Sequence, residues 1–204
     1  MKKESLFLLL FSSLTILLDS CLKKGEDDPF LSIHSRKARV VGNWKVTDYF
    51  YRSTDTDSSG STFEYTFHAT GTHYGLQYVA PGAAYTGDGD DFRMKWTFDK
   101  DGTYTETASA GGDDDSFDGI WNFNGGIGDQ KAKTKISLFE QNATYSSGHI
   151  YGHQGNYVGD TYDIIELRNK KMHLHTIVTK TWSFGAIRSE EYEYDIILEQ
   201  EKKK

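Results

Sequence analysis

Residues 92–104 read FRMKWTFDKDGTY, and this stretch indicates the fold class. Its first seven residues alternate strictly, with apolar side chains at every second position: Phe92, Met94, Trp96 and Phe98. Successive side chains of a strand point to opposite faces of a sheet, so the pattern predicts a β-strand with one buried face. A turn at residues 99–102 follows, where Gly102 can take a positive φ at little steric cost.

The same alternation recurs along most of the chain, and no helical stripe interrupts it after Gly42. In the first strand we place Trp44, Val46 and Phe50 on one face. Further strands are predicted around residues 62–67, 74–78, 103–108, 117–123, 133–140, 162–168, 172–182 and 191–198. Strands joined by short turns suit an antiparallel meander, which loses its open edges by closing. We therefore predict an all-β, antiparallel, up-and-down β-barrel of about 8–10 strands.

Four longer segments, rich in Gly, Ser, Asp and Tyr, are expected to be loops at the barrel rim: residues 53–61, 81–91, 108–116 and 143–159. Such loops on a rigid scaffold often carry binding function. Before the first strand, Phe30, Leu31, Ile33 and Ala38 could line one side of a short helix. We expect this helix to plug one barrel end.

The first twenty residues are typical of an export signal. Lys2 and Lys3 precede an apolar run at residues 6–18, which is shorter than the roughly 20 residues that a membrane span needs. The sequence Leu18-Asp19-Ser20-Cys21 then resembles the lipobox of bacterial lipoproteins. That resemblance implies cleavage before Cys21 and lipid attachment to its sulfur, which would anchor the protein to a membrane.

The segment behind Cys21 carries an acidic cluster at residues 26–28, Glu-Asp-Asp. It resembles the acidic export signals of Bacteroidetes lipoproteins, although a solvated linker explains it equally well. We expect an outer-membrane lipoprotein of the bacterial cell envelope, exposed at the cell surface if the export reading holds. The predicted organisation is a signal peptide at 1–20, a tether with a short helix at 21–39, and a barrel domain at 40–204.

Composition excludes several classes of protein. The chain has 204 residues, a net charge of −7, one Cys and 14% aromatic residues. One Cys excludes an internal disulfide framework and a Cys-based zinc cage. The negative charge argues against nucleic acid as a partner, and the aromatic content argues against a disordered chain. We expect a monomer without a cofactor.

An ordered series of short motifs resembles the lipocalin-like lipoproteins of Bacteroidetes. Gly42-Asn43-Trp44 resembles the Gly-x-Trp of lipocalins, and further pieces follow at residues 96–104, 119–121, 135–138 and 162–174. The resemblance implies a barrel with a cup-like interior and a Trp44 that seals one end beneath a basic residue, here Arg168 or Arg188. Residues 62–84 exceed the family pattern and suggest an added hairpin.

Aromatic and sulfur-containing side chains at inward positions are the candidates for a cavity lining: Phe63, Tyr65, Phe67, Met94, Trp96, Trp121 and Trp182. A small barrel is either filled by its own side chains or holds one small ligand, and the sequence leaves both open. The resulting hypothesis is a protein that binds a small apolar or amphipathic ligand. The alternative is an interaction lipoprotein whose rim loops bind a surface protein or glycan, with no barrel ligand.

Catalytic and metal-binding patterns are weak. His173 and His175 share one strand face, but a zinc site needs a third ligand. The acidic stretches 88–91 and 113–115 lack the spacing of an EF-hand. A Gly-x-Ser-x-Gly elbow and a phosphate-binding loop are both missing from the sequence. We expect no enzyme and no metal site.

Overall fold

The structure of the protein, a computed structural model, describes residues 35–124, 134–145, 150–152, 158–183 and 187–201. These ranges contain one short helix, α1 (Arg36–Val40). Twelve strands follow: β1 (Gly42–Thr56), β2 (Thr62–Thr70), β3 (His73–Ala80), β4 (Ala83–Gly89), β5 (Arg93–Phe98), β6 (Thr103–Ala110), β7 (Asp113–Asn124), β8 (Lys135–Thr144), β9 (Ile150–Gly152), β10 (Val158–Leu167), β11 (Lys171–Ser183) and β12 (Ile187–Gln200).

Eight of the strands close into an antiparallel barrel. The order around the barrel is β1, β5, β6, β7, β8, β10, β11 and β12, and β12 pairs back with β1. This closure confirms the predicted all-β barrel with a short N-terminal helix. Each of the eight strands thus pairs with two others of the barrel, although β1 and β5 pair only at residues 42–45 and 95–98.

A three-stranded sheet branches from the barrel at β1. The first residues of β1 pair with β5, where Trp44 lies opposite Trp96, whereas residues 48–56 pair with β2. Strands β3 and β4 continue outward from β2. We call this sheet of β2, β3 and β4 the extension. The prediction of an additional hairpin in residues 62–84 is confirmed, and a third strand enlarges it.

The predicted loop at residues 81–91 is wrong, because most of it is strand β4. Its sequence, AAYTGDG, has little intrinsic strand preference. The backbone ladder from β3 nevertheless holds it in the sheet. Gly87 and Gly89 leave room for the side chains of Leu76 and Tyr74, which lie against them. Glycine therefore serves here to admit large neighbours.

The predicted loop at residues 108–116 is also wrong. Strand β6 runs to Ala110 and β7 begins at Asp113, so only Gly111 and Gly112 form the turn. Both have positive φ, 65° and 87°, as a two-residue hairpin turn between twisted strands requires. Of the other two predicted loops, residues 53–61 include the last residues of β1, which extends to Thr56. Residues 143–159 lie partly outside the described residues.

A β-bulge between Val46 and Asp48 reverses the inward face of β1. Because side chains alternate with a period of two, one extra residue exchanges the two faces. Trp44 and Val46 point inward as predicted, but beyond the bulge Tyr49 takes the inward position. The inward placement of Phe50 is wrong: its ring lies outside, 6.2 Å from the ring of His68.

The barrel has a closed end and an open end. At the closed end lie α1, the start of β1 and the turns at 99–102 and 168–170; at the open end lie the turn at 111–112 and the chain between β8 and β10. Helix α1 is capped by Ser35, whose Oγ accepts a hydrogen bond from Ala38 N at 3.1 Å. Arg39 Nη1 donates to Leu167 O of β10. Of the residues predicted to line the helix, Phe30, Leu31 and Ile33 lie outside the described residues.

Below the open half, the barrel is filled with apolar side chains. The core residues there are fully or almost fully buried: Trp44, Val46, Phe98, Trp121, Ile136, Ile164, Leu167, Met172, Leu174, Ile196 and Leu198. Burial of this area provides the main stabilisation of the fold. The interior is thus packed at the closed end, and any space for a ligand lies above it.

Candidate functional site

A cavity of about 160 Å³ lies inside the barrel above the packed core. Seven of the eight barrel strands contribute to its wall, all except β11. The lining residues are Tyr49, Trp96, Tyr104, Glu106, Phe117, Leu138, Glu140, Gly159, Asp160, Tyr162, Tyr194 and Ile196. The cavity therefore combines aromatic rings with several ionisable side chains.

Three carboxyl side chains reach this cavity from three strands. Glu106 stands on β6, Glu140 on β8 and Asp160 on β10. Burial raises the pKa of Glu106 to about 8, and the negative charge of Glu140 acts in the same direction. Burial also raises the pKa of Asp160, which Lys180 partly offsets. Glu106 therefore stays largely protonated at neutral pH and can donate as well as accept a hydrogen bond.

Four tyrosines surround these carboxyl groups. Burial raises the pKa of Tyr49, Tyr104, Tyr162 and Tyr194, with nearby acids and phenols contributing. All four therefore remain neutral phenols at physiological pH. The ring of Tyr162 lies 6.0 Å from that of Tyr194 and 6.2 Å from that of Trp96, in edge-to-face contact. These contacts fix an aromatic wall around the polar groups.

The lining contains no Lys, Arg or His among the residues that the structure describes. Lys180 on β11 is a cation that acts on Asp160, and its Nζ lies 5.0 Å from the ring centroid of Tyr192. Lys180 also faces Glu190 across the β11–β12 pair. The ionisable groups that the described residues contribute to the cavity wall are thus carboxyl groups and phenols.

Trp96 adds a buried polar atom to the wall. Its side chain is 2% exposed, and its Nε1 has no hydrogen-bond partner among the described residues. Trp96 lies opposite Glu106 across the β5–β6 pair, on the same inward face. A buried N–H without an acceptor is unfavourable. Trp96 Nε1 is thus a buried donor for which the described residues supply no acceptor.

A second hollow opens where the extension separates from the barrel. It has a volume of about 340 Å³ and lies between β1 and β2 on one side and β5, β6 and β7 on the other. Tyr49 lines both hollows. Its ring lies 6.0 Å from that of Phe67 and 6.2 Å from that of Phe92. An aromatic surface therefore continues from the barrel interior to the extension.

The structure distributes the predicted lining residues over several places. Trp96 lines the cavity, whereas Tyr65, Phe67 and Met94 line the second hollow. Phe63 lies with Tyr65 at a separate surface depression. Trp121 belongs to the packed core, and its Nε1 donates to Asp99 O at 3.0 Å. The Trp182 side chain lies outside the described part of the chain.

Trp44, predicted to seal one barrel end, is completely buried at the closed end. Its Nε1 donates to Val40 O of α1 at 2.7 Å. Arg168, one of the two basic residues predicted to lie above Trp44, instead forms an ion pair with Glu166: its Nε lies 2.6 Å from Glu166 Oε1. The Arg188 side chain lies outside the described residues. Instead Lys37 of α1 lies near a tryptophan, with Nζ 5.7 Å from the Trp121 ring centroid.

Sequence reasoning missed most of the cavity. The missed polar and aromatic members are Tyr49, Tyr104, Glu106, Phe117, Glu140, Asp160, Tyr162 and Tyr194. For Glu106 a signal existed, because it stands at an inward position between Tyr104 and Ala108 in the alternation of β6. For Tyr49 the bulge concealed the signal, since nothing in the local sequence marks the extra residue.

His173 and His175 lie on the outer face of β11, away from the cavity. His173 Nε2 is 2.9 Å from Asp195 Oδ1, and His175 Nε2 is 3.5 Å from Glu193 Oε1. Each imidazole thus has a carboxylate neighbour on β12. Within the described residues, no group of three or more His, Cys, Asp or Glu side chains could hold a metal ion.

The acidic stretches lie within strands or directly behind one: Asp88 is in β4, and Asp90 and Asp91 follow its end. Asp90 Oδ1 lies 2.8 Å from His73 Nδ1. The Asp91 carboxylate accepts hydrogen bonds from Gly111 N at 2.9 Å and from Gly112 N at 3.0 Å. Asp91 thereby ties the end of the extension to the β6–β7 turn, while residues 113–115 begin β7.

Comparison of the chain with protein-family models, with curated proteins and with solved structures finds no match. Among the described residues, the only helix has five residues, and none is long and apolar enough to span a bilayer.

Proposed function

We propose that this protein is a lipid-anchored binding protein of the bacterial envelope whose lipocalin-like barrel holds a small amphipathic ligand. The cavity in the open half of the barrel carries this proposal. A purely apolar ligand would take water from the carboxyl groups and phenols of the wall and offer them no hydrogen bond in return, which costs free energy. Of the two ligand classes that the sequence suggested, the amphipathic one therefore suits the lining better. The proposal is binding without catalysis.

The resemblance to lipocalin-like lipoproteins of Bacteroidetes supports this function. The Gly-x-Trp motif opens β1, and its Trp44 lies beneath α1 at the closed end. Residues 96–104, another piece of the resemblance, form the β5–β6 hairpin. The motifs thus occupy positions compatible with a cup that is closed at one end.

The lipid anchor is proposed from Cys21 and the residues before it. Radiolabelled palmitate should be incorporated into the wild-type chain and not into Cys21→Ser. Surface proteolysis of intact cells then tests the outward orientation proposed from residues 26–28. A Cys21→Ser chain that still carries label would contradict the anchor.

Native mass spectrometry of the full lipoprotein tests the barrel ligand. We expect the wild-type protein to retain a small molecule that Leu138→Phe loses, because Leu138 lines the cavity and a larger side chain would occupy it. Ile177→Phe is the matched control, since Ile177 lies on the outer face and is 54% exposed. A wild-type protein with no bound molecule, or retention by Leu138→Phe, would count against the proposal.

A second candidate function rests on the free edge of the extension. Among the described residues β4 is the last strand of the sheet, and its Tyr85 is 63% exposed, with Tyr78 and Val79 of β3 also exposed. Exposed aromatic residues on an open sheet edge suit contact with a surface protein or glycan. In this alternative the barrel is only a scaffold.

Crosslinking in native membranes and binding to purified surface glycan distinguish this alternative. Tyr85→Ser should abolish recovery of the partner, whereas Ile177→Ser, which also removes an exposed apolar side chain, should not. Equal recovery by both variants argues against the alternative.

A further inference from the structure

Three exposed lysines lie together at the closed end of the barrel. Lys37 stands on α1, Lys100 in the turn after β5 and Lys170 in the turn between β10 and β11. Lys100 and Lys170 line one hollow of about 860 Å³. Lys37 Nζ lies 5.7 Å from the ring centroid of Trp121, whose Nε1 donates to Asp99 O in the turn that carries Lys100. We call these three lysines the base.

Ion pairs hold two of the acidic side chains at this end. Glu166 has a side chain that is only 6% exposed, and its carboxylate lies 2.6 Å from Arg168 Nε and 2.9 Å from Lys171 Nζ. Glu201 Oε1 lies 2.8 Å from Lys95 Nζ. One acid with two basic partners, and one with a single partner, together leave no excess of negative charge.

Two aspartates, Asp99 and Asp101, lie in the same hollow as Lys100 and Lys170. The Asp101 carboxylate is engaged within its own turn, where it accepts hydrogen bonds from Thr103 N at 2.9 Å and from Thr103 Oγ1 at 2.7 Å. The base lysines outnumber these two acids. Among the described residues, the surface of the closed end therefore carries an excess of positive charge.

The opposite rim carries the opposite charge. Asp113, Asp114 and Asp115 open β7 directly after the turn at 111–112, and Asp91 accepts hydrogen bonds from both residues of that turn. Asp90 precedes Asp91 in the sequence. Since the chain as a whole has a net charge of −7, the base is a local exception to an acidic protein.

The proposed lipid anchor is attached on the side of the base. Residues 22–34 connect Cys21 to Ser35, the cap of α1, and a chain of this length spans at most about 45 Å. Strand β1 has 15 residues, so with the usual tilt the open rim lies roughly 40 Å from the closed end. The rim could reach the membrane only if the connection were almost fully extended, whereas the base lies at its near end.

We propose that the base docks on the anionic phosphate headgroups of the membrane that holds the lipid anchor. The barrel then stands on its closed end, and the cavity and the extension face away from the lipid. The inference rests on the lipid anchor of the proposed function and adds the surface that faces the membrane. An anionic leaflet attracts the base lysines and repels the acidic rim, so both ends favour the same orientation.

A lysine-labelling experiment tests the docking. The full lipoprotein is added to vesicles of phosphatidylcholine, or of phosphatidylcholine and phosphatidylglycerol in equal amounts, and acetylated with an N-hydroxysuccinimide ester. Mass spectrometry should show that Lys100 and Lys170 react at least about fivefold more slowly on the anionic vesicles. Lys180, exposed towards the far end of β11, should react equally on both. High salt should remove the protection, since it screens the attraction.

Two double variants locate the attraction, with Lys100 as the reporter. Lys37→Gln/Lys170→Gln removes two of the base lysines and should reduce the protection of Lys100 to less than about twofold. Arg52→Gln/Arg93→Gln is the matched control, because it removes two positive charges that lie away from the closed end. Arg52 pairs with Glu193 in the upper part of β1, and Arg93 starts β5. The control should keep the full protection.

The outcomes separate the docking from the anchor. Flotation of the vesicles shows whether the chain is anchored: a chain that floats with neither composition would overturn both proposals. A chain that floats with both, and whose Lys100 reacts equally on both, would overturn the docking while the anchor stands. This holds equally if a second copy covers Lys100 on both compositions. Protection that persists in Lys37→Gln/Lys170→Gln would overturn the assignment to the base.

Discussion

Gly119 of β7 lies directly opposite Tyr104 of β6, and a Cβ on Gly119 would come within 2.6 Å of Tyr104 Cε1. The same Cβ would lie 2.1 Å from Phe139 O of β8. Glycine at this position therefore lets the Tyr104 ring cross the neighbouring strand towards the cavity. A wall residue of the candidate site thus depends on a residue without a side chain.

We expect Gly119→Ala to destabilise the protein by about 2 kcal/mol, because neither the strand backbone nor the buried ring can yield enough space. Chemical denaturation measures the change. Gly75→Ala is the matched control: Gly75 also lies in a strand, but the nearest atom to its Cβ is Gly87 O at 4.0 Å. A Gly119→Ala protein as stable as Gly75→Ala would show that β7 and β8 can separate at this point.

Parts of this site could be predicted from the alternation of apolar and polar residues alone. Residues 92–98 alternate so regularly that the strand, its inward face and the position of Trp96 were predictable. Glu106 occupies an equally clear inward position, but a carboxyl group there contradicts the usual rule that charged residues face solvent. The rule fails where a cavity, a raised pKa and neighbouring phenols accommodate the acid.

Other parts were not predictable from local sequence. The bulge at residues 46–48 depends on the register with β12, which only the closed barrel defines. Strand β4 has little preference for extended structure, and its ladder to β3 holds it in the sheet. The bulge places Tyr49 in the site, and the pairing of β4 with β3 places the exposed Tyr85 at a sheet edge. Both effects are properties of tertiary pairing.

Asp91 should contribute to the stability of the β6–β7 turn. Its two carboxylate oxygens accept hydrogen bonds from Gly111 N and Gly112 N, so Asp91→Ala leaves both donors to solvent. We expect a loss of about 1 kcal/mol in the free energy of unfolding and faster amide exchange at both glycines. Asp90→Ala, which breaks an exposed contact with His73, should change stability little. Equal effects of the two substitutions would show that the contacts of Asp91 add nothing specific.

A comparison of two buried tryptophans, Trp44 and Trp96, separates the contribution of a hydrogen bond to stability from that of side-chain volume. Trp44→Phe removes the bond from Nε1 to Val40 O and leaves that carbonyl without its donor, whereas Trp96 Nε1 has no described partner to lose. Both side chains are almost fully buried, at 0% and 2% exposure. We expect Trp44→Phe to cost about 1 kcal/mol more than Trp96→Phe in thermal or urea unfolding. The reverse order would mean that Trp96 contributes a contact beyond its packing.

The dependence of stability on pH should report the ionisation of Glu106. Its pKa in the folded protein is about 8, against an ordinary value of 4.5 for the same group. Between these values the folded protein keeps a proton that the unfolded chain has released, so the free energy of unfolding falls as pH rises. The fall due to this group ends near pH 8, where Glu106 ionises in the folded state as well.

Glutamine cannot ionise, so Glu106→Gln should lack this contribution to the decrease in the free energy of unfolding with rising pH. The variant is therefore expected to match the wild-type protein near pH 4.5 and to exceed its stability above pH 8 by several kcal/mol, at most about 5. Urea unfolding across this range measures the difference, with Glu191→Gln as the control for loss of an exposed acid. Parallel curves for wild type and Glu106→Gln would mean that this carboxyl group is solvated in the folded protein.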